Sequence, residues 1–252
     1  MILLVDIGNT RVKWATQVDG RLSPQRAAGY AQWSAVDWQH ELFDGLPVER
    51  VLAATVAGGD SRQALTTAAR NAGVRRVDFV AATAALAGVR NAYPDPGLLG
   101  VDRWVAVIGA YHRAQGACCV VDVGTAATLD TVDASGQHLG GFIVPGPQLM
   151  VRSLHDGTSN LSAYTAASPV GGTQLFADNT RDAIERGCRV ALAALVDRTC
   201  AELARRTRST PRLYCTGGAV DEVIPYVLAT NERIPDLVLR GLARIVDLAL
   251  ER

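Results

Sequence analysis

The sequence contains no apolar run long enough to cross a membrane. A spanning helix needs about 18 or more consecutive apolar residues, whereas the apolar N-terminus, Met1–Val5, ends at Asp6 after five residues. Five apolar residues are also too few for the hydrophobic region of a secretory signal peptide. We therefore expect a soluble cytoplasmic protein with no membrane partner.

Residue patterns typical of metal sites, disulfide frameworks and nucleic-acid binding are missing as well. The five cysteines form no CxxC pair, and the four histidines form no HExxH pair. An odd cysteine count without a signal peptide favours a reducing compartment. The charge is balanced, with 25 basic and 25 acidic residues, so no basic excess indicates nucleic acid. Lysine is almost absent, since Lys13 is the only one.

The common phosphate-binding signatures are absent too. The sequence has no GxxxxGK[ST] loop, no GxGxxG turn that opens a helix after a strand, and neither the HRD nor the DFG motif of protein kinases. P-loop, dinucleotide-binding and protein-kinase chemistry are therefore not indicated.

One short pattern occurs twice. LLVDIGNT, residues 3–10, and VVDVGT, residues 120–125, each combine an apolar run with Asp, an apolar residue, Gly and a nearby Thr. Asp6 and Asp122 are separated by close to half of the 252-residue chain. A strand-turn unit repeated at half-length predicts two structurally similar halves. We expect domains at residues 1–115 and 116–252, with a boundary in the stretch 112–116.

The rest of each half is typical of a mixed α/β fold. Strands are predicted at residues 11–16, 51–56, 74–80, 127–132, 138–144 and 213–215. Helices are predicted from Ser61, as the N-cap, to Asn71, after Asp102, from about Asp178 and from about Pro235. The turn 133–136 joins two of these strands as a hairpin.

Both copies of the repeated pattern suit phosphate binding. Glycine lets backbone N–H groups approach an anion, threonine adds a hydroxyl, and the carboxylate holds Mg²⁺ directly or through water. Each copy taken alone has an alternative, an ordinary hairpin turn. Two copies, each ending a buried strand, favour paired loops that grip a nucleotide in a cleft between the halves.

A third segment offers acid–base chemistry. Gly100-Val101-Asp102-Arg103 precedes residues spaced for a helix packed by one face. Asp102 would accept a proton from an attacking hydroxyl, and Arg103 would fix an anionic group of the substrate. The alternative is that Asp102 caps the helix.

Taken together, these motifs resemble type III pantothenate kinase, a family of the acetate and sugar kinase/Hsp70/actin superfamily. The resemblance runs from Leu4 to the terminal LVLRGL, and it rests on DIGNT, GVDRW, VVDVGTAATLD, GGFIVPG and NTRDAIERG in this order. It implies two ribonuclease-H-like domains with a nucleotide cleft, a homodimer, loose ATP binding, Mg²⁺ and a monovalent cation (K⁺ or NH₄⁺). The implied substrates are pantothenate and ATP.

The resemblance also implies roles for individual residues. ATP would contact Asp6, Ile7, Gly8, Asn9, Thr10, Arg11, Val12, Lys13 and Thr125. Pantothenate would contact Tyr93, Gly100, Val101, Asp102, Arg103 and, across the dimer, Thr180. Asp102 matches the proton acceptor and Asp122 the monovalent-cation ligand, while Asp6 would reach Mg²⁺ through water.

Several of these roles have structural alternatives. Tyr93 is otherwise an ordinary loop aromatic, Thr180 a helix-capping residue, and Lys13 an outward-facing residue of the returning strand. Gly217-Gly218 resembles an adenosine-side turn, although such a pair after a strand is common. The stretch 155–176 matches no motif, and its small polar residues suggest a mobile loop or lid.

Two other functions stay open at this point. One is a different small-molecule kinase of the same superfamily, acting on a sugar, against which GVDR beside DIGNT argues. The other is a regulatory or transcription accessory protein, against which the neutral charge and the lack of a DNA-binding motif argue.

Overall fold

A computed structural model of the chain describes residues 1–157 and 175–250 and shows a mixed α/β protein. Packing contacts divide it into two compact units. The first comprises Met1–Arg113, Gly136–His138 and the segment that begins at Asp236, and the second comprises Ala114–Ser135 and Leu139–Pro235. The main segment of the first unit ends at Arg113, and the last helix packs with this unit although it follows the second unit in the chain.

The first unit is built on a mixed sheet. Its elements are β1 (Ile2–Ile7), β2 (Arg11–Val18), β3 (Arg21–Leu22), β4 (Arg26–Gly29), α1 (Ala35–Phe43), β5 (Arg50–Thr55), α2 (Gly59–Asn71), β6 (Arg76–Phe79), β7 (Ala85–Leu86), β8 (Val89–Arg90), α3 (Val101–Ala114) and the last helix, α6 (Leu237–Leu250). The strand order is β3-β2-β1-β5-β6, with β4 also paired to β2. β1 runs antiparallel to β2 and parallel to β5.

The second unit repeats this arrangement. Its elements are β9 (Cys118–Val123), β10 (Ala126–Val132), β11 (His138–Pro145), α4 (Pro147–Gly157), α5 (Thr180–Thr207), β12 (Arg212–Thr216) and β13 (Asn231–Arg233). The order is β11-β10-β9-β12-β13, and β9 is antiparallel to β10 and parallel to β12. β9 therefore has the same neighbours, in the same directions, as β1. The prediction of two similar halves is confirmed.

The central strand of each sheet is buried on both faces. In β1, Leu3, Leu4, Val5 and Ile7 are each 0 % exposed, and each such side chain contributes about 1.5–3 kcal/mol by leaving water. The core around β1 includes aromatic residues of β2 and α1, while the core around β9 is formed largely with α5 and β12. A strand that is buried on both faces requires a continuous run of apolar residues and not an alternation of apolar and polar residues.

The predicted strands are confirmed to within a few residues, but one predicted helix start is wrong. α2 begins at Gly59, with Gly58 as its N-cap, and not at Ser61. Ser61 instead lies in the first turn, where its N–H donates to the Gly58 carbonyl at 3.2 Å. α5 begins close to the predicted position, and the Asn179 side chain caps it by accepting the N–H of Asp182 at 3.0 Å.

The stretch 155–176, for which we expected a loop or lid, lies mostly outside the described residues; within it, 155–157 end α4. Over residues 1–157 and 175–250, no helix has the length and apolar character needed to cross a membrane.

The last helix, α6, crosses α3 at a point where both helices carry glycine. A Cβ atom at Gly109 would lie 2.8 Å from the Leu237 carbonyl oxygen and 2.9 Å from the Gly241 nitrogen. A Cβ atom at Gly241 would overlap the backbone of Val105. α6 also contacts β1, β2 and β5, and Gln17 donates to Asp247 at 2.8 Å. The two helix backbones therefore touch, and only glycine permits this approach.

We expect Gly241→Ala to destabilise the protein by about 1–3 kcal/mol, the usual effect of overpacking, because the new methyl group meets backbone that cannot move aside. The matched control is Gly187→Ala in α5, where a Cβ atom meets nothing within 4 Å and helix propensity favours alanine by up to about 1 kcal/mol. Thermal unfolding followed by circular dichroism measures both. A melting temperature for Gly241→Ala equal to or above that of the wild type would contradict the crossing.

Candidate functional site

The first predicted phosphate loop lies where β1 ends. Asp6, 8 % exposed, is held there by the buried strand before it. The Gly8 N–H donates to the Arg11 carbonyl at 3.0 Å and closes the turn into β2, while Asn9 and Thr10 are exposed. The loop therefore presents small polar residues to solvent beside a mostly buried carboxylate.

A tyrosine that the sequence did not indicate supports this loop. The Tyr30 hydroxyl contacts two loop carbonyls, donating to Gly8 at 2.7 Å and lying 3.3 Å from Asn9. These contacts occupy carbonyl oxygens that would otherwise repel an anion. Tyr30 precedes no motif, so only the three-dimensional fold identifies it.

The two ends of the predicted ATP segment, Asp6 and Lys13, face each other across the hairpin. They are directly opposed in the β1–β2 register, and opposed residues of an antiparallel pair share one face of the sheet. Lys13 is partly buried, so it lies on the face of Asp6 and not on an outward face. Ile7 and Val12 are 0 % exposed; their side chains belong to the core, and only their backbone is available to a ligand.

The second predicted loop, 122–125, has the same construction. Asp122 is the penultimate residue of β9 and lies opposite Thr128 on β10 and Thr216 on β12. The Gly124 N–H donates to the Ala126 carbonyl at 2.9 Å, and the Thr125 carbonyl accepts the Gly146 N–H at 2.8 Å. The exposed side chain of Thr125 is thus carried by a loop fixed at both sides.

Asp122 is packed against a glycine that no other residue can replace. Gly217 has φ +100°, and a Cβ atom there would overlap the Asp122 carboxylate and the Val123 backbone. The next turn is tied to the same strand, since the Ala219 N–H donates to the Val123 carbonyl at 2.9 Å. Burial raises the pKa of the Cys118 thiol to about 12, so that thiol stays neutral. Asp122 is the carboxyl-bearing residue of β9, among cysteines and valines.

The third predicted segment forms the start of α3. The Trp104 N–H donates to the Gly100 carbonyl at 3.0 Å, which makes Gly100 the residue before the first turn. Asp102 lies inside that turn and accepts the N–H of Arg103 at 2.7 Å. The alternative that Asp102 occupies the cap position is therefore wrong, because α3 begins one residue earlier, at Val101.

Arg103 and Tyr93, which the family resemblance implied to share one binding region, are in contact. Arg103 is 7 % exposed, and its Nη1 donates to the Tyr93 hydroxyl at 3.2 Å. A guanidinium is seldom buried to this extent without polar partners. Tyr93 is therefore more than an ordinary loop aromatic, since it helps to hold a buried cation beside Asp102.

A buried histidine that the sequence analysis did not select supports Tyr93. His138 is 0 % exposed and its Nδ1 accepts the Ala92 N–H at 3.4 Å. The imidazole stacks on the Tyr93 ring with centroids 6.3 Å apart and an interplanar angle of 15°. The only sequence signal was its place at the start of a predicted strand.

A cavity of about 300 Å³ adjoins the start of α3. It is lined by the ends of β5 and β6, residues 55–56 and 80–82, and by the turn 97–101. Thr55 is one of the lining residues, and its buried hydroxyl has no hydrogen-bond partner among the residues that the structure describes. Apart from Thr55, the lining consists of Gly, Ala, Val and Leu, so the wall of the cavity is mostly apolar.

Thr180 lies in the second unit, whereas Tyr93 and Gly100–Arg103 lie in the first. It is the first residue of α5 and is exposed. The side chain of the neighbouring Asn179 makes the capping hydrogen bond, so helix capping does not explain why residue 180 is a threonine.

In the described ranges 1–157 and 175–250, no three or more His, Cys, Asp or Glu side chains are grouped so that they could hold a metal ion. At each loop, Asp6 or Asp122 would then be the single carboxylate that the protein supplies to a metal ion. Such a site suits a hydrated Mg²⁺, or a monovalent cation that backbone carbonyls help to bind.

Comparison with known families gives a consistent result. The model of the family "type III pantothenate kinase" matches residues 2–202. A type III pantothenate kinase of Nitrosococcus oceani is 36 % identical, with 97 % of this chain and 93 % of that protein covered. The type III pantothenate kinase of Azoarcus sp. is 39 % identical, with 97 % of this chain and 90 % of that protein covered. That of Laribacter hongkongensis is 35 % identical, with 99 % of this chain and 100 % of that protein covered.

Solved structures support the fold. A Baf family protein from Campylobacter jejuni has a TM-score of 0.55 at 22 % identity and covers 99 % of this chain and 100 % of its own. Component A of (R)-2-hydroxyglutaryl-CoA dehydratase from Acidaminococcus fermentans has a TM-score of 0.55 at 13 % identity, with 97 % and 95 % covered. At sequence identities this low, the structural similarity supports the fold and carries no argument about function.

We expect Gly217→Ala to lower the melting temperature by several degrees, because the left-handed backbone costs an L residue about 1–2 kcal/mol and the methyl group overlaps Asp122. Gly218→Ala is the matched control, since a Cβ atom there meets nothing within 4 Å. Differential scanning fluorimetry without ligand compares the two. Equal melting temperatures would show that Gly217 is not packed against Asp122.

Proposed function

Because the chain belongs to the type III pantothenate kinase family, and so transfers the γ-phosphate of ATP to pantothenate, we propose a specific division of roles among its residues. The reaction gives 4′-phosphopantothenate, the first step of coenzyme A biosynthesis. The observation that carries the proposal is the start of α3, where Asp102 is next in sequence to the buried Arg103, which contacts Tyr93, and a cavity adjoins the same turn.

Asp102 is the proposed proton acceptor. It lies in the first turn of α3 and is partly exposed, so a substrate hydroxyl can approach its carboxylate. It would align the primary hydroxyl of pantothenate and take its proton as that oxygen attacks the γ-phosphorus and the bond to ADP breaks. Phosphoryl transfer depends mainly on such positioning and on charge neutralisation, so no covalent enzyme intermediate is needed.

Arg103 and Tyr93 would hold the carboxylate of pantothenate. The planar guanidinium matches a carboxylate in shape and charge, and the Tyr93 hydroxyl at 3.2 Å restricts its orientation. Val101 and Gly100 would contribute the turn that brings this anion site next to Asp102. Burial of Arg103 supports the assignment, because an ion pair is stronger where water is excluded.

The loop 6–13 is proposed to bind ATP through its backbone, with Lys13 adding positive charge on the face of Asp6. Asp6 would hold Mg²⁺ through water, which suits a lone carboxylate. Mg²⁺ supplies neutralisation of the phosphate charge when it is bound. In the second unit, the Thr125 hydroxyl would contact ATP from the fixed loop 122–125.

Asp122 is proposed to bind K⁺ or NH₄⁺. Its carboxylate is only partly exposed and is packed against Gly217 and the Val123 backbone, where an anionic oxygen is available to a bound cation. The site would add positive charge near the phosphates. One carboxylate with backbone carbonyls favours ions that lose hydration readily, and therefore K⁺ or NH₄⁺ over Na⁺.

The proposed assembly is a homodimer in which Thr180 of one subunit contacts the substrate that is bound to the other subunit. Large apolar side chains of the second unit are exposed, among them Phe142 at 49 %, Ile143 at 62 % and Phe176 at 84 %. Exposed apolar groups of this size support a protein–protein interface, and Phe176 lies close to Thr180 in sequence. The five free cysteines suit the reducing cytoplasm proposed as its location.

The alternatives considered from the sequence are not favoured. A sugar kinase and a regulatory protein both leave the match over residues 2–202 unexplained. The relatives named above are type III pantothenate kinases over almost their whole length.

We expect Asp102→Asn to lower kcat by about 10²–10⁴-fold, the range for removal of a positioned base, with unchanged ATP binding. Asp60→Asn is the matched control, because Asp60 also lies in the first turn of a helix, α2, and is exposed. A coupled assay for ADP release measures both. Turnover of Asp102→Asn within a few-fold of the wild type would remove Asp102 from the chemistry.

We expect activity in K⁺ or NH₄⁺ to exceed activity in Na⁺, and Asp122→Asn to narrow or erase the difference. The physical reason is the loss of the carboxylate that balances the cation. K⁺ is titrated at fixed ionic strength with choline as the balancing ion and saturating Mg²⁺. A wild-type rate that does not change with the K⁺ concentration would contradict the monovalent-cation site. Mg²⁺ would then be the metal ion bound at both the Asp6 loop and the Asp122 loop.

A further inference from the structure

The hydroxyl of Tyr30 reaches the first phosphate loop from a position 22 residues later in the chain. Tyr30 directly follows β4, which pairs with β2, and the Trp33 N–H donates to the Tyr30 carbonyl at 3.0 Å and closes a turn there. From this turn the hydroxyl donates to the Gly8 carbonyl at 2.7 Å and lies 3.3 Å from the Asn9 carbonyl. One side chain thus contacts two consecutive carbonyls of the loop.

The ring of Tyr30 is itself fixed by aromatic packing. Its centroid lies 5.4 Å from that of Trp38, a residue of α1 that is 3 % exposed. Trp33 packs edge-on against Trp38 at 5.1 Å and against Trp14 of β2 at 6.2 Å. Tilted and edge-to-face pairs are favoured arrangements of aromatic rings. The hydroxyl is therefore presented to the loop from a packed support.

The direction of the two carbonyls determines the direction of two N–H groups. In a planar trans peptide, the C=O and the N–H that follows it point in opposite directions, and the peptide bonds of this loop are trans. Because the Gly8 carbonyl points to Tyr30, the Asn9 N–H points away from it. The same relation holds for the Asn9 carbonyl and the Thr10 N–H. Tyr30 therefore turns two consecutive N–H groups toward the opposite side of the loop.

These two N–H groups are available to a ligand. Asn9 and Thr10 are exposed, and neither N–H donates to a carbonyl in the turns and loops that the structure describes. The Gly8 N–H, by contrast, is already used, since it donates to the Arg11 carbonyl. Consecutive N–H groups of a turn form a concave site for an anion. The loop thus offers two backbone donors to phosphate oxygens.

We propose that Tyr30 is a positioning residue for ATP. Its hydroxyl holds the Gly8 and Asn9 carbonyls, so that the N–H groups of Asn9 and Thr10 stay directed at a phosphate group of the nucleotide. The inference rests on the proposed binding of ATP by the loop 6–13. Without the hydroxyl either peptide can rotate, and the loop then has to be ordered when the ligand binds, which lowers the affinity.

The first test compares Tyr30→Phe with the wild type. Phenylalanine keeps the ring against Trp38 and removes only the hydroxyl. The KM for ATP should rise about 3- to 10-fold, the worth of one neutral hydrogen bond, while the KM for pantothenate stays unchanged. Tyr111→Phe is the matched control, because Tyr111 is also partly buried in the first unit but lies in α3; it should change neither KM. An unchanged KM for ATP in Tyr30→Phe, or an equal rise of both KM values, would overturn the proposal.

Amide hydrogen exchange tests the same role without turnover. In the wild type, saturating Mg·ATP without pantothenate should slow exchange in the segment 6–13, and in Tyr30→Phe the protection at equal saturation should be smaller. If Mg·ATP did not slow exchange of this segment in the wild type, or protected it equally in both proteins, Tyr30 would not position the loop for the nucleotide. Wild-type enzyme that failed to phosphorylate pantothenate would instead refute the proposed function, and the exchange measurement would still decide the role of Tyr30.

Discussion

Burial of the central strand in each sheet is the constraint on which the site depends. β1 and β9 are covered on both faces, and in each the penultimate residue is an aspartate and a glycine turn follows the strand. The apolar residues before Asp6 and Asp122 cannot shift without exposing several large side chains, so each carboxylate is held at a fixed strand end. The phosphate loops gain their geometry from this burial, since their own hydrogen bonds, such as Gly8 to Arg11, span only a few residues.

The first unit combines two kinds of recognition around the start of α3. On one side, the buried guanidinium of Arg103 contacts the partly buried Tyr93, whose ring stacks on the buried His138. On the other side lies a mostly apolar cavity. In the proposed arrangement, Arg103 and Tyr93 hold the carboxylate of the substrate and Asp102 accepts the proton of its primary hydroxyl.

What the sequence predicted is what short-range patterns encode. The repeated strand-turn unit and the strands near their observed bounds follow from runs of a few residues, whereas the place of Tyr93 beside the Arg103 segment was implied by the family resemblance. Tyr30 and His138 could not be predicted, because their contacts join segments that are distant in sequence. The N-cap of α2 was missed for a smaller reason: serine is a stronger capping signal than glycine, yet Gly58 occupies the cap. The packing of α6 with the first unit likewise depends on long-range contacts that periodicity does not reveal.

The place of α6 has a consequence for how the protein is made. The first sheet is synthesised early, yet α6, which contacts β1, β2 and β5 and meets α3 at Gly241, is synthesised after the whole second unit. Contacts between segments this far apart form slowly, because a long loop must close first. The N-terminal unit therefore emerges from the ribosome with a face of its sheet uncovered and can complete its fold only after α6 has also emerged. Until then that apolar face is open to chaperones, and folding of the first unit waits for a helix that is made after the second.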